Sequence, residues 1–229
     1  RPEFVMSVGD LIEGYTQEEP AIHQMWDRFD AIVADLEAPF YYVPGNHDLS
    51  NPVMVRIWQE RRGPTHHAFV HKGVLFLCLS TEEPRGKFRG ISAAELAWIR
   101  GQLVLNKDVR WTLVFMHQPL WTQEDAAQIY GVKGPESGGS VTGWPEVEDL
   151  LADRPYTVFT GHLHRYTRYL RKGREYYIFA TTGGASPLKG ASLGEFDQVV
   201  WVTMSEQGPV LANLALDGIH PKDLYTEQH

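Results

Sequence analysis

The chain has 229 residues, 43% apolar and 22% charged, enough apolar content for a substantial packed core and too much for a disordered chain. Lys plus Arg number 21 and Asp plus Glu 29, a formal net charge of −8; this disfavours a broad face for extended nucleic acid, while a small anionic substrate stays admissible because a bound cation reverses the local field. The single cysteine, Cys78, excludes an internal disulfide and a thiolate zinc cluster, and no apolar run is long enough to span a membrane.

In chain order, residues 4–8 read as a strand. A helix is expected over 19–37, with Pro20 in its first turn and Ile22, Met25, Trp26, Phe29, Ile32, Val33 and Leu36 on one stripe. Residues 40–43 form the next strand, Asn51-Pro52 caps and opens a second helix, and Gly63 stops it. Residues 68–79 read as one long apolar run that buries an inert Cys78. Ser92-Ala93-Ala94-Glu95 has the form of a capping box ahead of Leu96, Ile99 and Leu103. Strands follow over 111–116 and 156–159. Between them, residues 118–144 hold five glycines and read as a long irregular lid or substrate-facing loop, ahead of a short helix over 145–152. Past about residue 165 only strands are expected, over 176–180, 198–204 and 209–216. Alternating units followed by antiparallel ribbons place the chain in the α/β class, α+β by some schemes, as a single domain over 1–229.

The chemistry-bearing residues sit where strands end. The runs end in Gly9-Asp10, Gly45-Asn46-His47-Asp48, His117-Gln118-Pro119 and Gly161-His162-Leu163-His164. In open α/β sheets that edge is where sites form, so these imidazoles, carboxylates and the Asn46 amide are expected to converge in one crevice. Nitrogen and oxygen ligands without thiolate suit Mn, Fe or Zn. Each motif alone has an ordinary structural explanation, an Asx turn or a satisfied histidine; the ordered set is far more specific.

Those motifs, with the late Thr182-Gly183-Gly184, resemble the calcineurin-like metallophosphoesterase superfamily over nearly the whole chain. The resemblance implies two packed mixed β-sheets flanked by helices, an αββα sandwich, with a two-metal centre at the strand ends. It implies that Asp10 bridges the metals, that Asn46, His117 and His162 complete one, and that His164 serves the other. It implies that His47, oriented by Asp48, protonates the leaving group while a metal-held hydroxide attacks a small phosphate mono- or diester. The family's first strand ends in Asp-x-His, and no Asp-x-His occurs here; Asp217-Gly218-Ile219-His220 has the wrong spacing. The expectation is a missing N-terminal strand, its slot filled by other residues, a partner or an oligomer, and one well-held divalent metal where the family has two. The competing reading is a catalytically impaired scaffold that binds partner proteins. His23, His66, His67 and His71 read as structural or exposed, Arg165 and Tyr166 as equally suited to solvent and to phosphate, and Tyr15, Arg56, Arg61 and Arg62 as surface residues beside the site loops.

Overall fold

The computed structural model describes residues 1–82, 90–129 and 140–228. Its first half alternates strands and helices: β1 (Val5–Met6), α1 (Glu19–Ala34), β2 (Phe40–Tyr41), α2 (Pro52–Arg62), β3 (His67–His71), β4 (Val74–Cys78), α3 (Ala93–Leu105) and β5 (Trp111–Phe115). Two helices follow, α4 (Leu120–Ile129) and α5 (Trp144–Leu151), then β6 (Tyr156–Thr160), β7 (Thr167–Arg171), β8 (Arg174–Ile178), β9 (Val199–Ser205), β10 (Gly208–Ala215), β11 (Gly218–Pro221) and β12 (Thr226–Gln228).

The helix starts follow their local chemistry. The Asn51 side chain accepts from the Val53 and Met54 amides, with Pro52 opening α2. Ser92 accepts from the Glu95 amide, half of the expected capping box. The other half is diverted: Glu95, buried, accepts instead from the Ser80 amide at 2.8 Å, fastening α3 to the end of β4.

A seven-stranded mixed sheet in the order β12-β7-β8-β6-β5-β4-β3 is the main layer. Strand β4 is buried along its whole length, as a strand covered on both faces must be. Leu75 and Leu77 face a core built with Ile99, Leu103, Trp121, Trp144 and Val147 of α3, α4 and α5. Val74, Phe76 and Cys78 face a second core shared with Val43, Leu211 and Phe4, Met6, Val200 and Met204. That second layer comprises the parallel pair β1–β2 and the antiparallel sheet β11-β10-β9, and among the described residues no ladder joins the two. Helices α1 and α2 cover the β1–β2 side through Ile22, Trp26, Met54, Ile57 and Trp58. This is the expected αββα layering, with its second sheet in two pieces.

Three expectations need correction. The run 68–79 is a hairpin, not one strand: Lys72 (φ 47°) and Gly73 (φ 72°) reverse the chain between β3 and β4. Lys172 and Gly173 repeat the device between β7 and β8, and β7 had no predicted counterpart. Both are two-residue turns with positive φ, the backbone that matches strand twist. Third, residues 120–129 of the expected irregular loop are helix α4, with Trp121 fully buried against Trp144 and Tyr176. The two tryptophans bracketing the loop therefore belong to the core. The remainder of the expected lid, 130–139, lies outside the described residues.

Cys78 is buried, and burial pushes its thiol up, as an inert core cysteine requires. A buried ion-pair network ties α5 to the β7–β8 hairpin. Glu148 receives Arg171 at 2.7 Å, Lys172 at 2.7 Å and the Tyr176 hydroxyl at 2.7 Å. Burial alone raises the Glu148 carboxyl, but the hydrogen bonds from Arg171, Lys172 and Tyr176 outweigh it and hold the group below the usual carboxylate range. Its stabilisation is therefore complete above the unfolded carboxylate value and lost as pH falls through the lower folded one. Glu148→Ala is expected to cost about 1–3 kcal/mol near neutral pH, because the buried Tyr176 hydroxyl loses its acceptor and Arg171 keeps only Asp125 as its ion-pair partner. The gap to the parent chain should narrow in acid; urea melts at neutral and acidic pH test this, and a pH-independent difference would contradict it.

Candidate metal centre

The four motif-bearing loops leave the C-terminal ends of β1, β2, β5 and β6, two from each layer, and meet between the layers. His117, 1% exposed, is the hub. Its Nδ1 lies 2.7 Å from the Val8 carbonyl, so Nδ1–H donates there and Nε2 points inward. Around that Nε2 stand Asp10 Oδ2 at 3.0 Å, Asn46 Oδ1 at 3.0 Å and His162 Nδ1 at 3.2 Å. Ligand atoms of Asp10, His117 and His162 all lie within 4.8 Å of one another.

The donor set has a clear chemical demand. One proton on His117 Nε2 would be shared between Asp10 and Asn46, whereas a cation can take lone pairs from all four residues at once. The residues thus fit a divalent metal on their own geometry, and nitrogen with oxygen ligands suits Mn, Fe or Zn. Asp10 and His117 compensate each other. Burial raises the Asp10 carboxyl, but the hydrogen bond and charge of His117 prevail and hold it low. Burial lowers the His117 imidazole, but Asp10 prevails and holds it high.

Backbone strain and close approach position these groups. Asp10 (φ 57°) and His162 (φ 72°) occupy the left-handed region that side-chain-bearing residues avoid, a strain typical of functional sites. Gly45 is required for room: a β-carbon there would lie 2.2 Å from Asp10 Oδ1. The Asp10 carboxylate also accepts from the His47 amide at 2.9 Å, locking one loop onto the other.

Residues 1–166 match the calcineurin-like phosphoesterase family. The chain belongs to that family. It is 25% identical over 171 residues to a probable glycerophosphodiester phosphodiesterase GpdQ of Arcobacter nitrofigilis, covering 72% of this chain and 58% of that protein. Among solved structures, GAP50, the anchor in the inner membrane complex of Plasmodium, superposes with a TM-score of 0.62 at 16% identity over 95% of this chain and 77% of that one. Purple acid phosphatase PPD1 of yellow lupin seeds gives a TM-score of 0.58 at 14% identity, over 93% of this chain and 44% of that one. These two likenesses show the phosphoesterase fold. The chain spans about half the length of the curated relatives it matches.

Within this calcineurin-like phosphoesterase the remaining candidates are placed unevenly. His164 stands outside the cluster, its Nδ1 2.5 Å from the Ala185 carbonyl and its backbone left-handed (φ 51°). His47 is half-buried at the mouth, its Nδ1 2.6 Å from the Glu13 carbonyl. Asp48 does not orient His47 among the described residues. It is fully buried, and its carboxylate accepts the amides of Gly45 at 2.8 Å, Leu11 at 3.0 Å and Ile12 at 3.3 Å. Burial, helped by the nearby Asp10 charge, pushes Asp48 up to about 7 against the Gly45 and Leu11 amides. Its position in the motif fits it as the tie between two site loops.

Sequence reasoning missed the groups that contact the candidate site residues: the Val8 and Glu13 carbonyls and the Tyr15 hydroxyl. Backbone carbonyls leave no signal in residue identity. The other candidates are structural. Arg61 and Arg62 pair with Asp27 and Asp30 of α1, and Arg56 with Glu19 and Glu60. His23 meets Arg61, His71 meets Glu3, and Arg165 stacks on Tyr225. Tyr166 is buried with its hydroxyl on the Lys222 carbonyl.

Proposed function

We propose that this chain is a metal-dependent phosphoesterase hydrolysing a small phosphate mono- or diester. The observation that carries the reading is the convergence of Asp10, Asn46 and His162 on His117 Nε2, each at 3.0–3.2 Å. A bound divalent cation supplies Lewis-acid polarisation of a phosphoryl oxygen and of water there. The protein's own part is positional. Asp10, Asn46, His117 and His162 hold the cation, and the buried hub excludes bulk water from one side. His47 has its Nδ1–H engaged on the Glu13 carbonyl, which leaves Nε2 as the nitrogen available to a substrate. As imidazolium it donates that Nε2 proton to the departing alkoxide.

One cation site is proposed, of Mn, Fe or Zn, because His164 lies apart from the four-ligand cluster. The same placement favours a second reading, a catalytically impaired scaffold. Purified protein supplied with Mn²⁺, Fe²⁺ or Zn²⁺ and either bis(4-nitrophenyl) phosphate or 4-nitrophenyl phosphate separates them. Turnover abolished by chelator supports the enzyme; no turnover with any of the metals supports the scaffold. The likeness to a glycerophosphodiester phosphodiesterase makes the diester the first substrate to try.

His47→Ala is expected to slow alkyl phosphoesters by about 10²–10⁴-fold, the usual contribution of general-acid catalysis. Nitrophenyl esters, whose leaving group needs no proton, should slow far less. Equal slowing of both would remove His47 from that role.

A further inference from the structure

We propose that Tyr15 is a positioning residue that sets the working orientation of both Asn46 and His47, an inference resting on the metallophosphoesterase reading of the site. The phenol oxygen lies 2.8 Å from Asn46 Nδ2 and accepts its N–H. An amide so anchored turns its other end, Oδ1, toward His117 Nε2, where the second observed contact is 3.0 Å. Tyr15 thereby selects which end of Asn46 faces the cation site; a flipped amide would present N–H donors to a cation, which none can ligate. The same ring stands edge-on to His47, with centroids 4.6 Å apart at 84°. Glu13, two residues earlier, supplies the carbonyl beside His47 Nδ1. One short loop therefore fixes a metal-ligand candidate and the proton-donor candidate together.

The backbone is shaped for this task and for no evident packing purpose. Tyr15 is 57% exposed, so burial does not hold it in place. It nevertheless adopts φ 52°, a conformation that disfavours an aromatic side chain. The preceding Gly14 has φ 65°, and a β-carbon on it would lie 1.9 Å from the His47 carbonyl oxygen, so only glycine lets the loop lie against the His47 backbone. An exposed tyrosine held in a strained backbone, with both its polar and its apolar parts on site residues, is a functional arrangement.

Two variants separate the two contacts. Tyr15→Phe removes the hydroxyl and keeps the ring; Tyr15→Leu removes both. Tyr15→Phe is expected to weaken Mn²⁺ binding by about 10–100-fold by calorimetry, the usual effect of losing a group that orients a ligand. It should keep the parent's preference between alkyl and nitrophenyl esters at saturating Mn²⁺. Tyr15→Leu should show the same loss of affinity and, in addition, a selective fall in kcat for alkyl esters, with phenylalanine restoring that second property only. In the metal-free protein, the Asn46 side-chain amide resonance should shift in Tyr15→Phe, and the His47 ring protons should shift in Tyr15→Leu alone. A parent chain that binds no Mn²⁺ defeats the reading of the site and leaves these resonance shifts to decide whether Tyr15 orients the two groups. Unmoved resonances, or Mn²⁺ affinity in Tyr15→Phe equal to that of a binding parent, overturn the role proposed for Tyr15.

Discussion

His117→Ala should abolish high-affinity Mn²⁺ binding and lower phosphoester hydrolysis by about 10²–10³-fold, the range seen when one preorganised charge-stabilising group is removed. The size follows from position. His117 Nε2 is the atom to which Asp10, Asn46 and His162 are each 3.0–3.2 Å distant, so its loss opens the middle of the cluster. The Val8 carbonyl also loses its partner, which costs about 1–3 kcal/mol if it stays dry. A thermal melt separates the two effects. In the parent chain, Mn²⁺ at a hundredfold excess over its dissociation constant should stabilise the fold by about 2.7 kcal/mol, roughly 5–10 °C for a chain this long. In His117→Ala that metal-dependent shift should vanish while a cooperative transition persists. A variant that melts cooperatively and still gains the full shift would show that the cation is held elsewhere.

The clustering of the candidate site was legible in the sequence because its candidate ligands are side chains at strand ends. Asp10, Asn46, His117 and His162 come together from positions more than a hundred residues apart, as alternating strand and helix units require. What stayed hidden was the shell around them. Val8 and Glu13 act through carbonyls, so their identity carries no information about the role. Tyr15 acts from a left-handed backbone on an exposed loop, where a tyrosine looks like surface. Asp48 was assigned to His47 by adjacency along the chain, but a turn that brings Gly45 and Leu11 amides to one carboxylate points it inward. The fold misreadings have a similar origin. Lys-Gly is a weak turn signal beside Asn-Gly or Asp-Gly, so the β3–β4 reversal read as continuous strand. In α4, the flanking glycines outweighed Gln123, Glu124, Ala126 and their neighbours, although Pro119 sits just ahead of its first turn. Tertiary burial of Trp121, invisible to local pattern, is what gives that helix its place.

Asp48→Ala should be the most destabilising single change in the site region, by about 3–5 kcal/mol. Three backbone amides, those of Gly45, Leu11 and Ile12, donate to a carboxylate that is fully buried. Each would be left without a partner at about 1–3 kcal/mol, less whatever entering water recovers. For a fold held by about 5–15 kcal/mol this is a large fraction, roughly 6–20 °C in melting temperature. The damage reaches function through the backbone. Leu11 and Ile12 directly follow Asp10, and Gly45 directly precedes Asn46, so the same carboxylate sets the spacing of two metal-ligand candidates. Asp48→Asn keeps one accepting oxygen but turns an N–H toward at least one of those amides, so it should fall between alanine and the parent in stability. Mn²⁺ affinity should fall in both variants, in the same order as stability. A melt showing Asp48→Ala within 1 °C of the parent, with unchanged Mn²⁺ affinity, would mean that the two loops are fixed by other contacts and that Asp48 is a bystander.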